Sequence, residues 1–191
     1  MRLRGSRVLL MGGAGFIGSH VAAALGSAGV EALVVIDDLS LGREENLAAA
    51  RRAFPALEFH RLDLTDEEAC QAAVGGRAFD FCFHLAVIPL PASLVEPKRV
   101  IDKNVMMTTT VCELARAGTI GRLVHFSSSE VYGQDGIHEE GARLSVNPKG
   151  GARAEYALGK MASEVILRNL SFSQPIRYNV CRPFNVIGEQ Q

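Results

Sequence analysis

The 191-residue chain has no excess of charge of either sign: 20 Lys and Arg stand against 21 Asp and Glu, a formal net charge of −1. The basic residues are spread along it rather than bunched. A nucleic-acid surface or an anionic membrane as partner therefore has no electrostatic footprint here. No apolar run approaches the ~20 residues of a membrane span. The basic start MRLRGSR leads into an ordinary strand pattern, not into the long apolar region of a secretion signal. Cysteines number only four, Cys70, Cys82, Cys112 and Cys181, and none is paired as CxxC. Each lies among apolar neighbours, so the expectation is reduced, mostly buried thiols in a cytoplasmic protein that holds no metal. Internal repeats and low-complexity segments are absent from the sequence.

What is present is an ordinary globular composition, 48% hydrophobic and 21% charged, long enough for one domain with a sizeable core. The stretch Arg7 to His20, RVLLMGGAGFIGSH, organises it. Val8 to Met11 reads as a short buried strand, and the apolar run Val21 to Leu25 as part of a helix. Between them stand Gly12, Gly15 and Gly18, spaced Gly-x-x-Gly-x-x-Gly. Such a turn aims backbone N–H groups and the positive end of a helix at one point, which suits a pyrophosphate. Gly12 permits the tight turn, Gly15 lets the backbone approach the phosphates, and Gly18 lets helix and strand pack closely. A second apolar run, Ala32 to Ile36, ends in Asp37, nineteen residues past Gly18. A carboxylate there accepts hydrogen bonds from a ribose diol and repels a 2′-phosphate, which favours NAD over NADP. Arg43, in the following loop, pulls the other way.

Strand and helix patterns then alternate. Helices are expected over Glu44 to Ala53, Thr65 to Val74, Val100 to Ala117 and Ala154 to Leu170. The second opens on a Thr65 cap with Glu68 three residues on, and Gly118 suits the end of the third. Strands are expected over Leu57 to Leu62, Phe79 to Leu85, Leu123 to Ser127 and Ile176 to Cys181. This βαβ alternation implies a doubly wound parallel sheet, Rossmann-like, with helices on both faces and ligands outside the carboxyl ends of the strands. Asp37, Asp63, His84 and Ser127 fall at or just past such ends. The final RPFNVIGEQQ leaves a strand for a loop. The expectation is one NAD-binding domain over residues 1–191, with a substrate-covering domain following it.

On the last long helix Tyr156 and Lys160 are four residues apart, on one face and one turn apart. An ammonium near a phenol favours phenolate, so the tyrosine could take a proton from a sugar hydroxyl near neutral pH. Ser127, Ser128 and Ser129 begin at a strand end, where a hydroxyl can bond both the reacting group and the tyrosine oxygen. Glu130 beside them could give or take a proton. His84 is expected to be packed and hydrogen-bonded. His20, His60, His125 and His138 show no ligand spacing.

Together these pieces resemble the extended short-chain dehydrogenase/reductases, in the nucleotide-sugar epimerase/dehydratase family. The matching segments are GGAGFIGSH from Gly12, VIDDLSLGREENL from Val35, DLTD from Asp63, HLA from His84, SSSEVYG from Ser127, YALGK from Tyr156 and RPFNVIG from Arg182. They stand in the family's order and cover nearly the whole chain. Met11 departs from the family's usual threonine before the glycines. The resemblance implies that Tyr156 is the base, that Lys160 anchors the nicotinamide ribose and that Ser128 is the hydroxyl partner. It implies that Asp37 and Asp38 hold the adenosine ribose and Asp63 and Leu64 the adenine, while Leu85 and Ala86 pass beside the phosphates and ribose. Phe16, Ile17, Asn104 and Pro183 complete the implied NAD site. Ser128, Ser129, Glu130 and Asn185 would meet the substrate, a nucleoside-diphosphate sugar, with UDP-sugars foremost.

Glu130 bears on the type of reaction. The Ser128-x-Glu130 pair resembles UDP-glucuronate decarboxylases and 4,6-dehydratases more than simple 4-epimerases. The first expectation is thus oxidation of the sugar at C4, followed by decarboxylation or dehydration of the 4-keto sugar. The alternatives are 4-epimerisation, or an NAD-binding unit without turnover. In similar enzymes the two long helices pack between subunits, which implies a homodimer. Val105, Thr109, Cys112, Met161, Val165 and Ile166 are compatible with that face, and equally with packing on the sheet.

Overall fold

Val8, Leu9, Leu10 and Met11 are all fully buried, and a strand apolar on both faces must be covered on both. A computed structural model describes residues 3–133, 138–174 and 176–191. Six strands form one sheet: β1 (Arg7–Met11), β2 (Ala32–Asp37), β3 (Glu58–Arg61), β4 (Phe81–His84), β5 (Arg122–Phe126) and β6 (Arg177–Cys181). Their spatial order is β3-β2-β1-β4-β5-β6, and every neighbouring pair is parallel. Val8 and Leu10 face one core, with Leu25 of α1 (Phe16–Ser27) and Ala50 of α2 (Ala48–Ala53). Leu9 and Met11 face the other. There they meet Val74 of α3 (Glu67–Val74), Val111 of the long helix that follows β4, and Leu167 of the one that precedes β6. Each such side chain contributes roughly 1.5–3 kcal/mol by leaving water. The order reverses between β1 and β4, so a crevice opens there beyond the strands' carboxyl ends.

Element by element, the expected alternation is present and the boundaries differ where side chains from elsewhere intervene. The helix expected to begin at Thr65 begins at Glu67, capped by Asp66, whose Oδ1 accepts the Ala69 amide at 3.0 Å. Thr65 cannot cap it, because Asp63 Oδ1 takes both its amide, at 2.9 Å, and its hydroxyl, at 2.8 Å. The segment from Glu44 is not one helix. A 3₁₀ turn, Glu44–Leu47, precedes α2. Its start is pinned to the glycine turn by the Arg43 amide and Asn46 Nδ2, both donating to the Ala14 carbonyl. A short helix α4 (Leu90–Ser93) lies between β4 and α5 (Pro97–Arg116). Proline suits a first helical turn, so α5 starts three residues before the apolar pattern does. A 3₁₀ turn, Ser129–Tyr132, follows β5, and α6 (Ala152–Ser173) outruns its expected ends.

Cys70, Cys82 and Cys112 are buried free thiols, and Cys181 is half-buried. Among the described residues no helix is long and apolar enough to cross a membrane, and no group of three His, Cys, Asp or Glu side chains could hold a metal ion.

Candidate active site

The turn between β1 and α1 depends on close backbone approach. Gly12 has φ +80°, and a Cβ on it would lie 2.4 Å from the Ala86 nitrogen. A Cβ on Gly18 would lie 2.0 Å from the Gly12 carbonyl oxygen. Gly15 differs: a Cβ there would meet only the Gly12 oxygen, at 3.6 Å. Its free side is bare backbone facing the crevice. No side chain caps α1, and no acid stands in its first turn, so its amides remain available to an anion. Asp37, 7% exposed, closes the far side of the turn. Its Oδ2 accepts the Ala14 amide at 2.9 Å and its Oδ1 the Leu39 amide at 2.9 Å. Burial raises its pKa above the ordinary carboxylate value, against the pull of these amides.

A cleft of about 730 Å³ runs from this turn along the carboxyl ends of the strands. Gly12, Gly15, Phe16, Ile17, Gly18, Asp37, Asp38, Leu64, Leu85 and Ala86 line one stretch of it. Ser128, Tyr156, Lys160, Pro183 and Asn185 line the other. The sequence segments singled out above therefore converge on one cavity. Gly42 lines it too, held against the Ala14 carbonyl, where a Cβ would approach to 2.6 Å.

Four expected site residues are not in its lining. Asp63 is paired with Lys103 at 2.7 Å. Burial raises its pKa, but the bonds from Lys103 and Thr65 outweigh that and hold it below the ordinary value. Asn104, 3% exposed, spends its amide group on the backbone of Ile88, accepting at 2.8 Å and donating at 3.0 Å. It thereby clamps the segment after β4 to α5. Ser129 donates its amide to the Pro183 carbonyl at 3.0 Å. Glu130 Oε1 accepts from Arg153 Nη1 at 2.6 Å. Arg43, for its part, is exposed and lies outside the lining.

The catalytic-type side chains sit at the inner end. Ser128 and Tyr156 line this end of the cleft together. Burial pushes the Tyr156 phenol above its ordinary value, the Ser128 hydroxyl opposes this, and the Glu130 charge adds to it. Lys160, 4% exposed, donates from Nζ to the Phe126 carbonyl at 2.7 Å. Burial brings it down to about 8, with Glu164 opposing. Behind it His84 and His125, register partners on β4 and β5, stand with ring centroids 5.2 Å apart. Burial, then the Lys160 charge, lowers His84 to about 3. His84 is packed as expected, with Nε2 3.4 Å from Thr108 Oγ1. The segment carrying Pro183 and Asn185 is anchored by Arg182, which sequence reasoning did not single out. Its guanidinium grips Glu164 at 2.7 and 2.9 Å and donates to the Tyr132 hydroxyl at 3.1 Å. Glu164 lies one turn beyond Lys160, a spacing that could have pointed to it.

Strand order, glycine turn and terminal acid define a dinucleotide-binding doubly wound protein, and its cleft brings a Tyr-Lys pair and a serine hydroxyl to the same crevice. Residues 8–191 match the family described as "NAD dependent epimerase/dehydratase family", and the chain belongs to that family. It is 34% identical over 186 residues to UDP-glucose 4-epimerase of Azospirillum brasilense, covering 95% of this chain and 49% of that protein. It is 33% identical over 189 residues to UDP-glucuronic acid decarboxylase 3 of Arabidopsis thaliana, covering 95% and 51%. A solved structure, UDP-N-acetylglucosamine 4-epimerase from Methanobrevibacter ruminantium M1 in complex with UDP-N-acetylmuramic acid, matches with a TM-score of 0.82 at 30% identity. That match covers 98% of this chain and 57% of that one. The chain spans about half the length of the curated relatives it matches. The family's cofactor is NAD, and this cleft fits it: bare backbone at Gly15, an uncapped helix start and a buried carboxylate lie along one wall.

Proposed function

We propose that this chain carries the NAD site and catalytic groups of a UDP-sugar 4-epimerase. The observation that carries this reading is that Ser128, Tyr156 and Lys160 line the same cleft as the glycine turn. The glycine turn and Asp37 would hold NAD, which would supply a reversible hydride acceptor for the sugar C4. The Tyr156 oxygen accepts the proton of the C4 hydroxyl and gives it back to the carbonyl oxygen when the hydride returns. Ser128 holds that oxygen in line, and Lys160, fixed on the Phe126 carbonyl, supplies positive charge beside the cofactor ribose. Asn185, in the lining, is placed to meet the sugar nucleotide's diphosphate.

Epimerisation takes precedence over the decarboxylation or dehydration expected first, for two reasons. Glu130 is engaged by Arg153 outside the lining, so a free carboxylate is not presented at C5. Curated relatives such as UDP-glucose 4-epimerase and UDP-arabinose 4-epimerase 1 carry the epimerase name. Decarboxylation of UDP-glucuronate is the second reading. It is favoured by the Ser128-x-Glu130 pair and by the 33% identical decarboxylase. The functional unit in this proposal is a homodimer through α5 and α6, where Met106 and Val165 are about half exposed, at 49% and 51%. Cys112, 4% exposed, belongs to the sheet core instead.

Incubation with NAD and UDP-glucose or UDP-glucuronate, followed by chromatography and mass spectrometry, tests this. A C4 epimer of unchanged mass is expected, whereas loss of CO₂ from the uronate would select the second reading. Bound NAD with no product from either would leave a binding protein and end the catalytic proposal.

A further inference from the structure

Residue 130 acts on the candidate base in two opposed ways. Its backbone amide donates to Ser128 Oγ at 3.2 Å, which occupies an acceptor site on that oxygen and leaves the hydroxyl proton free to turn into the cleft that Tyr156 also lines. That bond favours phenolate. Its carboxylate does the reverse, since a negative charge close to the phenol opposes ionisation. Keeping the first effect without the second requires a cation on the carboxylate. Arg153 is that cation: it stands on the first turn of α6, three residues before Tyr156 and on the same side of the helix. It reaches in from solvent, with its side chain 57% exposed against 25% for Glu130, to the 2.6 Å contact.

Apart from Glu155, whose buried Oε2 has no partner among the described residues, the other ionisable groups around Tyr156 are already committed. On α5, Lys98 pairs with Asp102, and Lys103 pairs with Asp63. The short helix α4, LPAS, has no ionisable side chain. On α6, Lys160 is bonded to the Phe126 carbonyl, and Glu155 is half-buried next to Tyr156 in the chain. His84 and His125 lie behind Lys160 and are kept neutral by burial. Glu130 is the carboxylate whose charge opposes ionisation of the phenol, and its partner Arg153 stands on the same helix turn as Tyr156.

We propose that Arg153 is a positioning residue for Tyr156, holding and neutralising the Glu130 carboxylate so that the phenol can ionise. This rests on the reading of Tyr156 as the base, and it goes beyond that reading by adding a residue that touches neither cofactor nor substrate. It also gives the acidic residue of the Ser-x-Glu triplet a place in an enzyme that abstracts no C5 proton.

The test is a double-mutant cycle read by the titration of Tyr156 itself, in protein carrying tyrosine labelled with carbon-13 at Cζ. The chain has three tyrosines, and Tyr156→Phe identifies the resonance. Arg153→Gln is expected to move the midpoint up by roughly half to one pH unit, the size of one neighbouring charge in a partly wet site. Glu130→Gln is expected to move it down. Arg153→Gln added to Glu130→Gln should do nothing further, and Arg153→Lys should restore the original midpoint. An unmoved midpoint in Arg153→Gln, or an equal shift in both backgrounds, would overturn the proposal. Its failure is separable from that of the function, because the titration needs no turnover. Product formation by the unaltered chain reports on the epimerase reading alone.

Discussion

Asp37 Oδ2 accepts the Ala14 amide at 2.9 Å, so the acid at the end of β2 holds the glycine turn as well as facing the cleft. Asp37→Ala leaves the Ala14 and Leu39 amides without their acceptors in a largely buried place. An unpaired buried N–H costs about 1–3 kcal/mol, so urea unfolding should show a loss of about 2 kcal/mol or more. Calorimetry should show NAD binding weakened at least tenfold, with NADP weakened less, because the charge that repels a 2′-phosphate has gone. Equal losses for the two dinucleotides would remove the selectivity argument while leaving the structural one.

Gly15 and Gly18 share one motif and should respond oppositely to the same added methyl. At Gly18 the new Cβ meets the Gly12 carbonyl at 2.0 Å, so Gly18→Ala must separate helix from strand. It is expected to destabilise by about 3 kcal/mol or more, in the range of severe overpacking. At Gly15 the backbone has φ −73°, which alanine adopts freely, and the methyl meets only the Gly12 oxygen at 3.6 Å. Gly15→Ala should therefore keep its unfolding midpoint and lose NAD affinity, since the methyl enters the space left for the phosphates. Unimpaired NAD binding by Gly15→Ala would show that the phosphates do not approach there.

What could be read from residue order alone was what has a local period or a fixed spacing. The buried run Val8 to Met11, the three glycines, Asp37 and the Tyr156–Lys160 turn were each visible as short patterns. The doubly wound parallel sheet followed from the alternation, and so did the placing of ligands outside the strands' carboxyl ends, while the strand order came from the fold. What escaped were choices made by partners distant in sequence. Asp63, expected at the adenine, is paired with Lys103, forty residues on. Asn104, expected at the NAD site, gives its amide group to the Ile88 backbone. Glu130, expected among the catalytic groups, is paired with Arg153, twenty-three residues away. Charged pairs across such separations carry no periodic signal, so only the fold reveals them. Thr65 lost its capping role by a shorter route, because its hydroxyl and amide were nearer to Asp63.

The burial of Lys160 should cost the protein stability. Burial lowers it to about 8 from an unfolded value of 10.5. Below pH 8 it is charged in both states and the burial penalty is present in full. Between pH 8 and 10.5 the unfolded chain holds the extra proton, so this penalty fades as pH rises. The shift corresponds to about 3 kcal/mol at most. Lys160→Met should be more stable than the parent at pH 7 by about 1–3 kcal/mol, reduced by the donor lost to the Phe126 carbonyl. That advantage should shrink by pH 10. Urea unfolding of both proteins at the two values measures it, and a variant less stable at pH 7 would show the ammonium to be a net structural contact.

The His84–His125 pair predicts the behaviour of the fold in acid. Burial, joined by the Lys160 charge, lowers His84 to about 3. Burial, joined by His84 and then Lys160, keeps His125 well below its ordinary value. The unfolded chain takes up protons near pH 6.5 while the folded one does not, so stability falls as pH drops from about 6.5 toward 3. Each histidine contributes at most about 1.4 kcal/mol per pH unit to that slope. His125 also buries two ring nitrogens that have no partner among the described residues. Exchanging it for a hydrocarbon of similar size therefore removes an uncompensated polar burial as well as a titration. His125→Leu should be at least as stable as the parent at pH 7 and should show a shallower loss of stability between pH 6 and 4 in urea unfolding. Parallel curves for the two proteins across that range would mean that the acid sensitivity arises elsewhere, in carboxylate pairs such as Arg182–Glu164.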